Sequence, residues 1–408
     1  MAKTIKPKPF TLKYEKQLQN QGKKMLINLK VKNFKSIKDE IELSFEAVDG
    51  VDDSYIYRHK NQNILKMAII YGQNASGKTN ILKALEFLKS FVLNPPIKKD
   101  DVIEIVPFLF TDNIEPNSCF EIEFLESGIK YLYQLELNQD RVVEEKLYFY
   151  NPNRALVYNR NLKKFGSKIG IKRLDEKILF KNTIHNNTLL SGYLKTEITI
   201  KEFDDVLNWF KKLMKPIYPK SDLLGFTTKL IDENRIDKNA ITNILQNADF
   251  AINDFEIKKN PHNIKLFFTH FEKYKLDLES ESSGTQRYYH LSIVLYLMLK
   301  ESLILPIDEL DSSLHPDLLK HFLLSFLVNA KDSQLIFTTH SRDLLLEKDI
   351  LRHDTIWFTE KKEDSSTDLF ALSDFDSKII RKESSIYNIY KQGKLGAVPN
   401  LKNYFLDI

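Results

Sequence analysis

Ile69-Ile70-Tyr71-Gly72-Gln73-Asn74-Ala75-Ser76-Gly77-Lys78-Thr79-Asn80-Ile81-Leu82 passes from an apolar run through two glycines into a helical pattern. The central part satisfies G-x-x-x-x-G-K-[ST]. Each part of that motif has a chemical reason. The glycines let backbone N–H groups curl around phosphate oxygens, a lysine reaches the β- and γ-phosphates, and the closing hydroxyl is offered to Mg²⁺. The helix that follows aims its positive N-terminus at the same anion. Leu65 to Tyr71 reads as a strand and Thr79 to about Phe91 as a helix, which Pro95-Pro96 ends. Strand, loop and helix in that order make Gly72, Asn74, Ala75, Ser76, Gly77, Lys78, Thr79 and Asn80 the expected site of a nucleotide and Mg²⁺.

Far downstream, Leu303-Ile304-Leu305-Pro306-Ile307-Asp308-Glu309 is an apolar strand that ends in two carboxylates. Successive strand residues point to opposite faces, so the two acids can take different tasks. Asp308 suits the Mg²⁺ shell together with Thr79. Glu309 suits orienting and deprotonating an attacking water.

Three further segments flank that pair: Glu281-Ser282-Ser283-Gly284-Thr285-Gln286-Arg287, Leu310-Asp311-Ser312-Ser313-Leu314-His315-Pro316, and Phe337-Thr338-Thr339-His340-Ser341. Gly284 stands 24 positions before Asp308 and His340 stands 32 after it (308 − 284 and 340 − 308). In this order the chain resembles the ABC-class ATPases, in the branch that holds RecF, the SMC heads and the overcoming-lysogenization-defect ATPases. The resemblance implies a signature at Ser283, Gly284 and Gln286, a D-loop aspartate at Asp311 and a switch histidine at His340. It makes Glu309, His340 and Lys78 the catalytic set. It also implies a composite site, in which the signature of one chain covers the γ-phosphate held by the P-loop of a second. By the same resemblance Lys35 and Ser36, in Asn33-Phe34-Lys35-Ser36, touch the adenine or a phosphate.

A narrower likeness rests on the G-x-N-x-S-G-K loop, the Ser-Ser-Gly-Thr-Gln-Arg signature and Tyr390-x-x-Gly393-x-x-Gly396-Ala397-x-Pro399. Over residues 25–408 the chain is similar to stand-alone ATPases of prokaryotic phage-defence operons, of the AbiL-like kind paired with an RloB-like protein. That implies a sensor or switch subunit: a homodimer, or an assembly of dimers, controlling a separate effector, either RloB-like or a TOPRIM-type nuclease. Two departures stand out. The signature carries Thr285 where transporters have glycine. The strand expected to lead to a glutamine-bearing loop ends Phe108-Leu109-Phe110-Thr111-Asp112, without a glutamine.

The expected fold is α/β: an ABC-ATPase head, built of a P-loop parallel sheet with helices and an antiparallel β subdomain, carrying a mixed, mainly helical insert. Alternation at Phe120, Ile122 and Phe124, then Tyr131, Tyr133, Leu135 and Leu137, marks the antiparallel part between Phe108 and Tyr158. The division reads 1–24 as a basic extension, 25–159 as one ATPase lobe, 160–279 as the insert and 280–408 as the second lobe.

Composition excludes several classes. With 42% hydrophobic and 28% charged residues the chain is not a disordered one. The apolar run Ile293–Leu299 is far too short for a membrane span. Cys119 stands alone, which removes an internal disulfide or a cysteine-rich zinc site, and Met1 leads into Lys- and Pro-rich sequence, so the expectation is a cytoplasmic protein. Net charge is +4, yet residues 1–38 hold eleven lysines against Glu15, and Arg154–Lys181 holds nine basic residues against Asp175 and Glu176. Both stretches are candidate phosphate- or partner-facing surfaces, and Lys163, Lys164, Lys168 and Lys172 are expected to help dock the effector. Asp374-Phe375-Asp376 reads as a surface strand end rather than a metal pair. Two rivals keep the same motifs: a RecF-like ATPase of DNA maintenance that grips duplex DNA, and a nucleotide-gated module that sequesters a toxin.

Overall fold

The computed structural model describes residues 24–48, 55–60, 62–161, 165–167, 171–221, 223–260, 263–347, 350–375 and 385–397. Alternating apolar residues build β1 (Met25–Lys32) and β2 (Ile41–Ser44), which pair antiparallel; the hairpin β3 (Ile56–His59) and β4 (Gln62–Leu65) follows. Next come β5 (Met67–Gly72), the helix α1 (Lys78–Leu93), and β6 (Ser118–Glu126), β7 (Ile129–Leu137), β8 (Val142–Tyr150), β9 (Arg154–Asn161) and β10 (Phe165–Ser167). The insert supplies α2 (Arg173–Asn182), α3 (Leu189–Tyr193), α4 (Lys201–Lys212), α5 (Leu223–Asp232) and α6 (Lys238–Asn247), then β11 (Ile252–Asn260), β12 (Asn263–His270) and β13 (Tyr274–Asp277). The last part holds α7 (Ser283–Lys300), β14 (Ile304–Ile307), α8 (Pro316–Asn329), β15 (Gln334–Thr338), β16 (Ile356–Lys361), β17 (Thr367–Ala371) and α9 (Ile386–Lys391).

β5 is buried along its whole length because both faces of its sheet are covered. The order is β14-β15-β5-β16-β17, with β14, β15, β5 and β16 parallel and β17 antiparallel at one edge. Alternation along β5 divides the core. Ala68 and Ile70 join α1 and the antiparallel sheet in one apolar cluster, whereas Met67, Ile69 and Tyr71 join α7 and α8 in the other. The antiparallel sheet runs β10-β9-β8-β7-β6-β1-β2. The expected class, a P-loop parallel sheet plus an antiparallel β subdomain with a mainly helical insert, is the one observed.

α1 buries Ile81, Leu82, Leu85, Leu88 and Val92, a single helical stripe, and ends at Asn94 just before Pro95-Pro96. On its flank Phe87 stacks on Phe120 at 5.3 Å and on Phe91 at 5.5 Å, with Phe34 edge-on to Phe120 at 5.4 Å. Such contacts contribute about 0.5–1.5 kcal/mol each beyond their area. They hold the P-loop helix against the β1 end of the antiparallel sheet.

The structure differs from the sequence reading in three places. The alternating region starts at Ser118 rather than Phe108; residues 108–117 are irregular because buried Asn33 binds their backbone, accepting from Phe108 N at 2.9 Å and donating to Glu115 and Asn117 carbonyls. Helical structure in the insert stops at Asn247, and a bulge between Ile252 and Asp254 masks the alternation of β11. The third concerns the free edge of β14. Leu213 and Ile217 form parallel bridges to Ile304 and Ile307, with Met214 N donating to Ile304 O and Ile217 N to Pro306 O. The segment beside the carboxylate strand is therefore 213–217, which the sequence reading left unassigned.

The insert is tied to the antiparallel sheet by Glu145, which is fully buried on β8. It accepts from Tyr133 Oη at 3.0 Å, Tyr158 Oη at 2.7 Å and Leu189 N at 2.7 Å, and pairs with Arg160 at 3.4 Å. Arg160 in turn donates to the carbonyls of Asn187 and Ile184. Glu145→Ala leaves a buried guanidinium uncompensated and is expected to destabilise the chain by about 3–5 kcal/mol. A fall in the urea midpoint at unchanged slope is the measurement; an unchanged midpoint would show that the network carries no net stability. Among the described residues no helix is long and apolar enough to cross a membrane. Lys163, Lys164, Lys168, Asp376 and Pro399 lie outside the described residues, as does nearly all of the basic extension.

Candidate functional site

The loop after β5 closes on its own lysine. Lys78 Nζ donates to the carbonyls of Gly72 at 2.8 Å and Gln73 at 3.0 Å. Burial pushes its pKa down to about 8, against the opposing pull of Asp308, Glu309 and Asp311. The ammonium is thus partly desolvated and aimed into the mouth of the loop, a setting in which an anion gains from it strongly. Gly77 takes φ 103°, which an L-residue resists. A Cβ there would lie 1.9 Å from Thr367 Oγ1, and one on Gly72 would lie 2.2 Å from Thr359 Oγ1. The glycines are required by close approach of β16 and β17 as well as by the turn.

Those two threonines did not stand out in the sequence. Ser76 Oγ and Thr359 Oγ1 are 2.6 Å apart; Thr367 Oγ1 donates to Ser76 O at 2.9 Å and lies 2.7 Å from Ser36 Oγ. Asn80 Nδ2 donates to Ser36 Oγ at 2.7 Å, and Thr367 N to Ser36 O at 2.7 Å. Ser36, Ser76 and Asn80 are therefore brought together in one hydroxyl network, whose signal in the sequence was nil because an isolated strand threonine is ordinary. Lys35 sits beside this network in a left-handed turn, its N–H donating to Val106 O at 2.8 Å. Burial, then the nearby Lys83, lowers its pKa, and Glu86 opposes them. Lys35, Lys83 and Glu86 line a cleft of about 930 Å³ along α1.

On the opposite side Thr79 Oγ1 donates to Asp308 Oδ2 at 2.9 Å and lies 3.2 Å from Oδ1. Thr338 Oγ1 donates to Asp308 Oδ1 at 2.6 Å and accepts from Glu309 N at 2.8 Å. Asp308 is buried, with its own N–H given to Ile217 O at 2.8 Å. A hydroxyl and a carboxylate at hydrogen-bond distance are the hard oxygen donors that Mg²⁺ accepts. Among the described residues no three His, Cys, Asp or Glu side chains converge on a metal position, so such an ion would complete its shell with phosphate and water.

Glu309 adopts φ 48°, a left-handed conformation held by the Thr338 bond and by Arg287 Nη2, 3.4 Å from Glu309 O. Arg287, buried with its Nε unpartnered, joins α7 to the carboxylate strand within one chain; in the sequence it closes the signature but carries no role there. His340 N donates to Asp311 at 3.3 Å. Desolvation, then the charge of Lys78, holds the imidazole pKa below its usual value, while Asp311, Glu309 and Asp308 pull the other way. Lys78, Asp308, Glu309, Asp311 and His340 thus share one electrostatic neighbourhood. At the end of the 213–217 segment Tyr218 Oη donates to Glu86 at 2.6 Å, and burial, then that carboxylate, raises the phenol pKa.

The signature stands apart. Ser282 caps α7, accepting from Thr285 N at 3.1 Å; Ser283 opens the helix and is exposed; Gln286 Nε2 turns back to Glu281 O at 2.9 Å. A Cβ on Gly284 would lie 3.2 Å from Ser313 O, so signature and D-loop touch within the chain. Among the described residues no hydrogen bond or ion pair joins 282–286 to Gly72–Asn80. His315 caps α8 through Asp317 N at 3.3 Å, Asp374 accepts from Ala371 N at 2.8 Å, and Tyr390 packs on Phe358 at 5.3 Å and Tyr71 at 5.9 Å. Among the described residues none of these three forms a hydrogen bond or ion pair with Gly72–Asn80.

With this geometry in place, the family model described as "AAA domain, putative AbiEii toxin, Type IV TA system" matches residues 67–347, from β5 past His340. The chain belongs to that family. It is also 23% identical over 389 residues to a protein of Helicobacter pylori (strain ATCC 700392 / 26695) named ATP/GTP phosphatase, covering 83% of this chain and 93% of that one. Among solved structures, the SMC head domain from Thermotoga maritima is similar at 14% identity and TM-score 0.42, over 85% of this chain and 98% of that one. The Smc head from Pyrococcus furiosus, with an extended coiled coil and bound to the C-terminal domain of ScpA, is similar at 13% identity and TM-score 0.43, over 88% and 99%.

Proposed function

We propose that the chain is a cytoplasmic, Mg²⁺-dependent ATPase that works as the switch subunit of an anti-phage, abortive-infection type system. Two copies close head to tail around ATP and thereby control a separate effector, an RloB-like or TOPRIM-type protein. The observation that carries the ATPase part is the convergence of Thr79, Asp308, Thr338 and Glu309 beside the inward-turned Lys78. Lys78 leaves the Gly72 and Gln73 carbonyls for the phosphates, the loop N–H groups and the α1 terminus complement their charge, and Gly72, Asn74, Ala75, Ser76 and Gly77 shape the cradle. Thr79 and Asp308 would hold Mg²⁺, which would supply charge neutralisation at the phosphates. Glu309 takes the proton of the attacking water, and His340, oriented by Asp311, senses the γ-phosphate. Ser36, Asn80 and Lys35 bear on the nucleotide from the β1–β2 turn. Ser283, Gly284 and Gln286 act on the nucleotide of the second copy.

The defence part is supported by the AbiEii description of the family and by the loop, signature and Tyr390–Pro399 motifs on which the AbiL-like resemblance rests. The duplex-DNA reading draws little from the polar face of the antiparallel sheet. Lys30 pairs there with Glu42 and Glu121, Lys130 with Glu123 and Lys146 with Glu144, which leaves those cations little charge for phosphates.

Purified chain is expected to release phosphate from Mg-ATP, and Lys78→Ala to lose about 10²-fold or more of kcat/KM, the size typical of a preorganised charge at phosphate. Phosphate release that Lys78→Ala leaves intact would overturn the site. Co-expression with the product of the adjacent reading frame, with and without ATP, tests the effector: a complex indifferent to nucleotide would overturn the switch.

A further inference from the structure

The three-stranded sheet β11-β12-β13 ends beside the signature, and a polar contact joins them. His270, the last residue of β12, places Nε2 at 2.6 Å from Oε1 of Glu281, the residue before the cap Ser282. The side chains are 20% and 8% exposed. An ionised carboxylate only accepts, so the ring donates, and a charge-assisted bond this short and this shielded fixes both partners. Glu281 is held along its main chain as well: its N–H donates to Leu278 O at 3.2 Å and its carbonyl accepts from Gln286 Nε2 at 2.9 Å. A side-chain bond and two main-chain bonds of the segment entering α7 thus meet at Glu281.

The contact is not needed to keep the small sheet in place. Phe255 and Phe268 pack edge-on against Tyr289 of α7 at 5.4 and 5.1 Å, well inside the helix, and Gln246 Nε2 at the end of α6 donates to Ile252 O. Those contacts anchor the sheet to the body of α7 and to the helical insert. The His270–Glu281 bond reaches farther, to the residues just before the exposed Ser282 and Ser283.

We infer that His270 is a positioning residue for ATP hydrolysis: through Glu281 it fixes the angle at which Ser282, Ser283 and Gly284 present the start of α7 to the nucleotide of a second copy. The inference rests on the proposed role of that signature. It makes the insert mechanically continuous with the start of α7, because the last residue of β12 is bonded to Glu281. A displacement of about 1 Å at such a group is enough to cost a large factor in rate while leaving affinity at the P-loop untouched.

The test compares His270→Ala with His270→Gln in the full chain. His270→Ala is expected to lower kcat for ATP about tenfold or more, the range of small misplacements, with KM little changed. His270→Gln, whose amide can still donate to Glu281, is expected to recover most of that loss. Wild-type kcat in His270→Ala overturns the inference. Equal losses in both variants together with a lowered melting temperature also overturn it, since a merely structural role predicts that pattern. Gly284→Asp is run alongside: if it retains full turnover, the proposed role of the signature is what fails, whatever His270 does.

Discussion

Glu309→Gln is expected to lower steady-state ATP turnover by about 10²–10⁴-fold, the contribution typical of a positioned general base, while leaving ATP bound. The substitution keeps shape and removes only the ability to accept a proton. The backbone that aims the side chain is unaffected, since Glu309 N is held by Thr338 Oγ1 and its carbonyl by Arg287. The groups proposed to hold Mg-ATP are likewise untouched: Lys78 on the loop, Thr79 and Asp308 across from it. With binding intact and the exit through hydrolysis blocked, the closed state should accumulate. Size-exclusion chromatography with ATP should then show a dimer in the variant where the wild type exchanges between forms. Undiminished turnover would remove Glu309 from the role of base, and a monomer carrying bound ATP would remove the sandwich.

How far the sequence leads is uneven across the chain, for physical reasons. Gly72–Asn80 and Ile304–Glu309 were legible because backbone chemistry fixes their composition: a glycine must sit where φ is 103° and a Cβ would strike Thr367. A buried parallel strand likewise must be apolar until it ends at its acids. The central strand, the helix behind it and the sheet at Phe120–Leu137 follow from periodicity alone. What stayed hidden were single polar residues whose meaning is set by tertiary neighbours. Thr359 and Thr367 are ordinary strand threonines until β16 and β17 bring them against Ser76, and Arg287 is an ordinary helix residue until α7 meets Glu309 O.

Edge positions were hidden for a different reason. Leu213–Ile217 pairs with β14 by only two bridges and includes Pro216, so no local pattern marks it as a neighbour of the carboxylate strand. Its consequence for function is direct, because Asp308 N donates to Ile217 O and the next residue, Tyr218, reaches Glu86 on α1. The insert therefore touches the lobes at separate points, Ile217 at the carboxylate strand, Tyr218 at Glu86 of α1 and His270 at Glu281 ahead of α7. These contacts lie on chain that periodicity leaves unassigned, so the sequence reading sees the lobes well and the couplings between them poorly.

Mixing two inactive chains should restore activity if the site is shared between copies. Lys78→Ala removes the phosphate cation from the P-loop, and Gly284→Asp sets a carboxylate at the start of α7, where a Cβ already approaches Ser313 O at 3.2 Å. Each homodimer then carries the same lesion in both composite sites and should be dead. In a heterodimer the two lesions fall together in one site, while the other site combines an intact P-loop with an intact signature. An equimolar, fully exchanged sample is half heterodimer with one working site in two, so turnover of about a quarter of wild type is expected if the sites act independently. Within a single chain the signature makes no polar contact with Gly72–Asn80 among the described residues, so the recovery would have to come from the second copy. If the mixture stays as inactive as its parents after exchange is verified by labelled subunits, signature and P-loop do not meet between chains, and hydrolysis must be completed inside one chain.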